Sequence, residues 1–277
     1  MDQQDSAFVD VRNLGLKTPE GIVYENATFS LEEGKVCALF GSEGCGKTSL
    51  LLALGGRMKF NSGSATVCGY DLKKEFKKVR AISGVSVVER VNDVPKYLRV
   101  RDILAAELSM AGRPGNKKGV ADYLDEWDFA DKVDTPYNKL AARDRYLFEI
   151  MLAATTVPKL LFVDEIQKGM THHSSLEMIE LFRRLWQKKQ ITTVFCTNEY
   201  EIASEADCMV VLDEDAELQR EQVVKKTGGE GRAHVAGFAN NAEVKPVYEC
   251  APNMLGAAEE AIPAEVVAVA NAESEVC

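Results

Sequence analysis

Apolar residues along the first 212 positions fall into two kinds of run. VCALF (36–40), the LLFV of LLFVDE (160–165), TTVFCTN (192–198) and ADCMVVL (206–212) are short and continuous. Runs of this kind predict strands buried on both faces, as in a parallel sheet. VYENATFSL (23–31), SATVCGYDL (64–72) and AISGVSVV (81–88) predict further strands. SSLEMIELFRRLWQKK (174–189) spaces its apolar residues at helical intervals and predicts an amphipathic helix. The stretch from about Val100 to Thr156 reads as mainly helical. Strands alternating with helices predict an α/β fold around a mainly parallel sheet, covered on both faces.

One interval between a strand and a helix carries chemistry. Gly41, Ser42, Glu43, Gly44, Cys45, Gly46, Lys47 and Thr48 match the phosphate-binding loop pattern GxxxxGK[ST], directly after VCALF and before the helical SLLLAL that opens with Ser49. Glycines let consecutive N–H groups turn inward around phosphate oxygens. Lys47 supplies a point charge for the outer phosphates, and the Thr48 hydroxyl is a Mg²⁺ ligand candidate. The helix from about Lys47 aims its positive end at the anion. A second signal is LLFVDE, whose apolar strand delivers Asp164 at its carboxyl end, where such an aspartate holds Mg²⁺. Glu165 follows, placed to orient or deprotonate an attacking water. Between Lys47 and Asp164 there is room for an inserted helical subdomain, taken as about residues 95–156.

Composition narrows the setting. Hydrophobic residues make up 46% of 277 positions, enough for a sizeable core, yet no apolar run approaches the ~18 residues that span a bilayer. MDQQDSAFVDV has no apolar secretion core, so a cytosolic protein is expected. The seven cysteines include no CxxC pair and read as reduced thiols; Cys45 is expected to be an inert filler of the loop. The net charge of −10 is uneven: positions from Asp213 onward hold 13 acidic and 5 basic residues, and the remainder is nearly neutral. Neither part reads as a nucleic-acid surface. Residues 227–277, rich in Ala and Glu without a sustained period, are expected to be a disordered tail.

From about residue 7 to 220 the chain resembles the ATP-binding domain of ABC-type ATPases. The resemblance rests on ENATFSLEEGKVCALFGSEGCGKTSLLLALGG, SGSATVCGYDL, KYLRVRDIL, KLAARDRYLFEIMLAATTVPKLLFVDE and TTVFCTNEYEIASEADCMVVL, in that order. It implies a phosphate-loop fold with an antiparallel N-terminal β part and an inserted helical subdomain. It also implies ATP and Mg²⁺ as ligands, a head-to-tail dimer of ATPase domains, and a separate membrane permease that holds the protein at the inner face of the membrane.

Departures from the family pattern qualify these expectations. At the LSGGQ signature stand Leu140, Ala141, Ala142, Arg143 and Asp144, without the serine hydroxyl or the glycines that permit close approach. At the switch histidine stands Asn198, which can hydrogen-bond a phosphate oxygen but carries no charge. The glutamine-loop position falls on Glu89, a possible Mg²⁺ ligand. His172 and His173 are placed in the loop after LLFVDE, and no aromatic platform for adenine is found near Leu14 to Thr18. Lys47, Glu165 and Asn198 are the catalytic candidates, and Thr48, Asp164 and Glu89 the metal candidates. A homodimer or a heterodimer with a second ABC ATPase is expected, with weak hydrolysis by the chain alone. The competing reading is an ATP-dependent regulatory switch or scaffold without a permease. A phosphate-loop GTPase is disfavoured because TNEY is a poor base-reading motif.

Overall fold

The computed structural model describes residues 7–88, 91–227 and 234–238. The continuous apolar runs become β3 (Val36–Phe40), β7 (Leu160–Val163), β8 (Thr192–Thr197) and β9 (Cys208–Val211). Together with β6 (Ser83–Val85) they pair parallel, in the order β9-β3-β8-β7-β6. Every residue of β3, β7, β8 and β9 is buried, so successive side chains feed two different cores. Cys37 and Leu39 face one core, and Val36, Ala38 and Phe40 face the other. This two-sided burial is why the runs carry no polar alternation.

The first core lies against an antiparallel layer made of β1 (Val9–Thr18), β2 (Gly21–Leu31), β4 (Ser62–Val67) and β5 (Tyr70–Asp71), with α1 (Lys47–Leu54) packed between. The second holds α3 (Val100–Met110), α4 (Lys117–Glu126), α5 (Ala142–Ala153), α6 (His172–Lys189) and α7 (Tyr200–Ala203). The helical region therefore lies between the two halves of the parallel sheet in sequence and on one of its faces in space. α2 (Phe76–Ile82) buries only Val79, which packs into the first core, and the helix lies against β5 and β6.

Two features depart from the sequence reading. His172 and His173 open α6, whose N-cap Thr171 accepts a hydrogen bond from Ser174 N–H, instead of lying in a loop. More consequentially, β9 leads through α8 (Glu214–Thr227) to β10 (His234–Phe238), inside the segment expected to be an unstructured tail. β10 pairs parallel with β9 and antiparallel with β2, joining the two β layers into one ten-stranded sheet of the described residues. Without it, β2 and β9 would each present an unpaired row of N–H and C=O groups. The rest of the 227–277 segment lies outside the described residues.

Candidate functional site

β3 ends at Phe40, and the chain turns through the glycine-rich loop into α1. Gly44 (φ +85°) and Gly46 (φ +93°) adopt the left-handed conformation that only glycine takes without strain. At Gly46 space enforces the same choice, because a Cβ there would lie 2.6 Å from the Val23 carbonyl oxygen and 3.2 Å from the Tyr24 ring. Tyr24, buried in the core beneath the loop, is thus a support for the loop; its burial excludes it as an exposed platform for a base. Lys47 is buried, and its Nζ donates to the carbonyl oxygens of Gly41 at 2.8 Å and Ser42 at 2.6 Å, arching back over its own loop.

The loop is also held from outside. Asp213, just past β9, accepts the Ser42 N–H at 2.8 Å and the Ser42 hydroxyl at 3.1 Å on Oδ2, while Oδ1 accepts the Ala216 N–H at 2.8 Å. Burial pulls this carboxyl upward, but the hydrogen bonds from Ala216 and Ser42 outweigh it and hold the group below its ordinary value. One carboxylate therefore ties the phosphate loop to the start of α8. Cys45 sits beside it. Burial pushes this thiol up to about 12 against the pull of Lys47, which keeps the thiolate scarce.

The sequence signal at LLFVDE meets the loop at one contact. Thr48 Oγ1 donates to Asp164 Oδ2 at 2.9 Å. Asp164 Oδ1 is buried and has no hydrogen-bond partner among the described residues. Burial raises this carboxyl, the Thr48 hydrogen bond opposes it, and the neighbouring Glu165 charge adds to the rise. A buried, unpaired carboxylate oxygen next to a hydroxyl is the donor set a hard divalent cation takes, so these residues fit Mg²⁺. The Asp164 carbonyl accepts a hydrogen bond of 2.8 Å from Tyr146 Oη, which reaches down from α5. Glu165 follows with a left-handed φ of +44°, and its carboxylate pairs with Lys168 Nζ at 3.0 Å.

A cavity of about 330 Å³ gathers Glu43, Gly44, Gly46, Lys47, Thr48 and Ser49 with Glu165, Gln167 and Asn198. The loop, the base candidate and the switch position thus converge from β3, β7 and β8. Asn198 is oriented by Gln167, whose Nε2 donates to its Oδ1 at 2.9 Å, and Gln167 Oε1 is itself buried without a partner among the described residues. Gln167, Tyr146 and Asp213 went unnoticed in the sequence; their spacing from the motifs carries no pattern, and only the folded contacts single them out. Glu89 lies outside the described residues.

The degenerate signature sits at the N-terminus of α5. Its N-cap is Ala141, which makes no side-chain cap, and Asp144 lies in the first turn. Arg143 Nε is 2.9 Å from Glu177 of α6, and Asp144 lies within 3.8 Å of Lys132. The side chains here are committed to neighbours in the same chain.

Fold and site define a phosphate-loop nucleoside triphosphatase domain. Residues 24–168 match the family model described as ABC transporter. Over 234 residues the chain is 27% identical to the macrolide export ATP-binding/permease protein MacB of Rhodopirellula baltica, covering 82% of this chain and 33% of that protein. It is 24% identical to a tyrosine transport ATP-binding protein of Clostridioides difficile, covering 74% of this chain and 88% of that one. In space it resembles cbiO1 of Clostridium perfringens, part of the ABC transporter complex cbiONQ, with a TM-score of 0.66 and 18% identity over 80% of this chain and 94% of that one. The chain belongs to the ABC transporter family, as an ATP-binding ATPase domain of it. It spans about a third of the length of the MacB relative.

Proposed function

We propose that this chain is the ATP-binding subunit of a transporter, driving a permease carried on a separate polypeptide. The observation that carries the reading is the hydrogen bond from Thr48 to Asp164, with Thr48 lining one cavity together with Lys47, Glu165 and Asn198. In this reading the loop N–H groups cradle the phosphates, and Lys47 leaves the Gly41 and Ser42 carbonyls for the outer phosphate oxygens. Thr48 and Asp164 would hold Mg²⁺, which would neutralise phosphate charge there. Glu165 accepts the proton of the attacking water, and Asn198, set by Gln167, orients the terminal phosphate.

The composite half-site is the weak part. In a head-to-tail dimer the α5 N-terminus of one chain faces the nucleotide of the other. Here that terminus offers a carboxylate and no serine or glycine, so a homodimer holds two poor sites. A partner ATPase with an intact signature would complete the site built on this chain's loop. A cleft of about 320 Å³ between the helical region and the sheet, lined in part by Arg57, Arg80, Pro95 and Ile103, is the face we assign to the permease. Exposed Val91, Tyr97 and Leu98 flank its lining residues 92–95 in the sequence. No helix among the described residues is long and apolar enough to cross a membrane, in keeping with a peripheral placement through that permease.

The test is affinity capture from gently solubilised native membranes with the Glu165→Gln chain held in ATP. Recovery of a multi-span membrane protein supports the reading, and a second ATPase in the same eluate identifies the dimer as mixed. Recovery of soluble partners alone, at every ATP level, favours the regulatory switch.

A further inference from the structure

Residues 57–80 contain seven basic and two acidic residues, a local charge of +5 in a chain of net −10. The near-neutral average of residues 1–212 conceals this edge. The fold concentrates it further. Gly56, at φ +68°, bends the turn after α1 so tightly against α2 that a Cβ there would lie 2.6 Å from the Phe76 carbonyl oxygen. Arg57, Met58 and Lys59 are thereby brought beside Phe76, Lys77 and Arg80, all exposed. The two acidic residues are already engaged: Lys74 lies 3.7 Å from Asp71, and Lys78 is 2.8 Å from Glu75. Arg57 is exposed as a residue but turns its guanidinium inward, donating to the carbonyl oxygens of Gly55 at 2.8 Å and Ser83 at 3.0 Å, and partial burial there, aided by the Arg80 charge, lowers it to about 10. Cations crowded in this way gain from a counter-anion.

Apolar groups stand among them. Phe76 is 45% exposed and Met58 37%, on a surface where large apolar side chains are few. Lysines flanking an exposed aromatic residue are the composition of an interfacial membrane contact.

We propose that this edge seats on the anionic headgroups of the lipid leaflet that surrounds the permease. Its position follows from the proposed function: Arg57 and Arg80 also line the cleft assigned to the permease, so the patch continues that face outward toward the bilayer. Charge selects the occupant. Cytoplasmic loops of membrane proteins carry an excess of Lys and Arg, which a basic edge repels. The cytoplasmic leaflet is negative and attracts it. The headgroups would thus fix the ATPase domain's tilt against the permease and make its docking sensitive to lipid charge.

The experiment is sedimentation of the full 277-residue chain with vesicles of zwitterionic phosphatidylcholine, and with vesicles also holding about 30% phosphatidylglycerol, at low and moderate salt. The expected result is binding to the anionic vesicles alone, weakening as salt rises. Lys73→Ala with Lys77→Ala should lower the partition coefficient roughly 25-fold, taking about 1 kcal/mol for each lysine. Phe76→Ser should lower it less and leave the salt dependence unchanged. Lys117→Ala with Lys118→Ala, on α4, should change nothing. Retained binding of a fluorescent ATP analogue shows that each variant is folded. Equal binding to both vesicle types, no binding at low salt, or equal losses in both lysine pairs would overturn the proposal. So would a soluble polyanion, polyglutamate or an oligonucleotide, that binds the edge as tightly as the vesicles do. Failure of the parent chain to bind ATP would count against the proposed function instead, and the vesicle result would still be read on its own.

Discussion

At the scale of single residues, the site separates groups that act from groups that hold. Glu165 is the proposed base. Glu165→Gln should lower single-turnover ATP hydrolysis by about 10²–10⁴, the worth of a general base, while nucleotide affinity stays within about threefold. Measured phosphate release and analogue binding separate the two. Asp164 is an acid whose folded value is raised, mainly by burial. Its ionised form is therefore a liability to the nucleotide-free fold, which gains stability from this group as pH falls through the raised value. A cation competes with that proton. The Mg²⁺ enhancement of nucleotide binding should accordingly shrink in calorimetric titrations as pH falls through the raised Asp164 value, with proton release on binding over the same range. Asp213 is the opposite case. Its folded value is lowered, so its contribution is present above the unfolded value of about 3.9 and is lost as pH falls through the folded one. Asp213→Ala strands the Ser42 and Ala216 donors and should cost about 1–2 kcal/mol, toward the low end because the carboxylate is partly solvated. The gap in urea midpoint between parent and variant should begin to narrow below about pH 4 and shrink further as pH falls toward the folded value.

At the scale of elements, legibility followed burial. β3, β7, β8 and β9 were visible because strands buried on both faces leave unbroken apolar runs. β1 was not, because irregular register between Val11 and Leu14, with Asn13 at φ +49°, breaks its alternation after two inward residues. α2 was hidden because a seven-residue helix that buries only Val79 has no apolar stripe. β10 is the extreme case: five residues whose strand character comes from neighbours on both sides. The site shows the same division. The phosphate loop and Asp164–Glu165 are local patterns and were legible; Gln167, Tyr146 and Asp213 matter through contacts across 31, 18 and 171 positions. Val235→Pro tests β10 directly. It removes one N–H from a strand bonded along both edges, and the melting temperature should drop by several degrees, at about 2–4 °C per kcal/mol for a chain of this size. An unchanged melting curve would show that β10 contributes nothing to the sheet.

At the scale of the whole molecule, the phosphate loop and the α5 terminus make unequal halves. The loop half is furnished with Lys47, Thr48 and Glu165 around one cavity and with Asp164 bonded to Thr48; the α5 half presents Asp144 and an Arg143 tied to Glu177. Raising the concentration of the isolated chain should therefore leave ATP turnover below the ordinary enzyme range of about 1–10³ s⁻¹. Adding a second ABC ATPase with an intact signature, recovered by the affinity capture above, should raise it. Turnover that climbs steeply with the concentration of this chain alone would mean that its own α5 terminus completes the site.

The closing of the sheet by β10 also sets a timetable. Phe238 pairs with Thr28, which leaves the ribosome about 210 residues earlier. At about 5–20 residues per second, one edge of β2 waits roughly 10–40 s for its neighbour. During that wait it is an open template for strands of other chains. A nascent chain of this design would need either a chaperone to shield that edge or slow pairing elsewhere in the sheet to keep it from forming early.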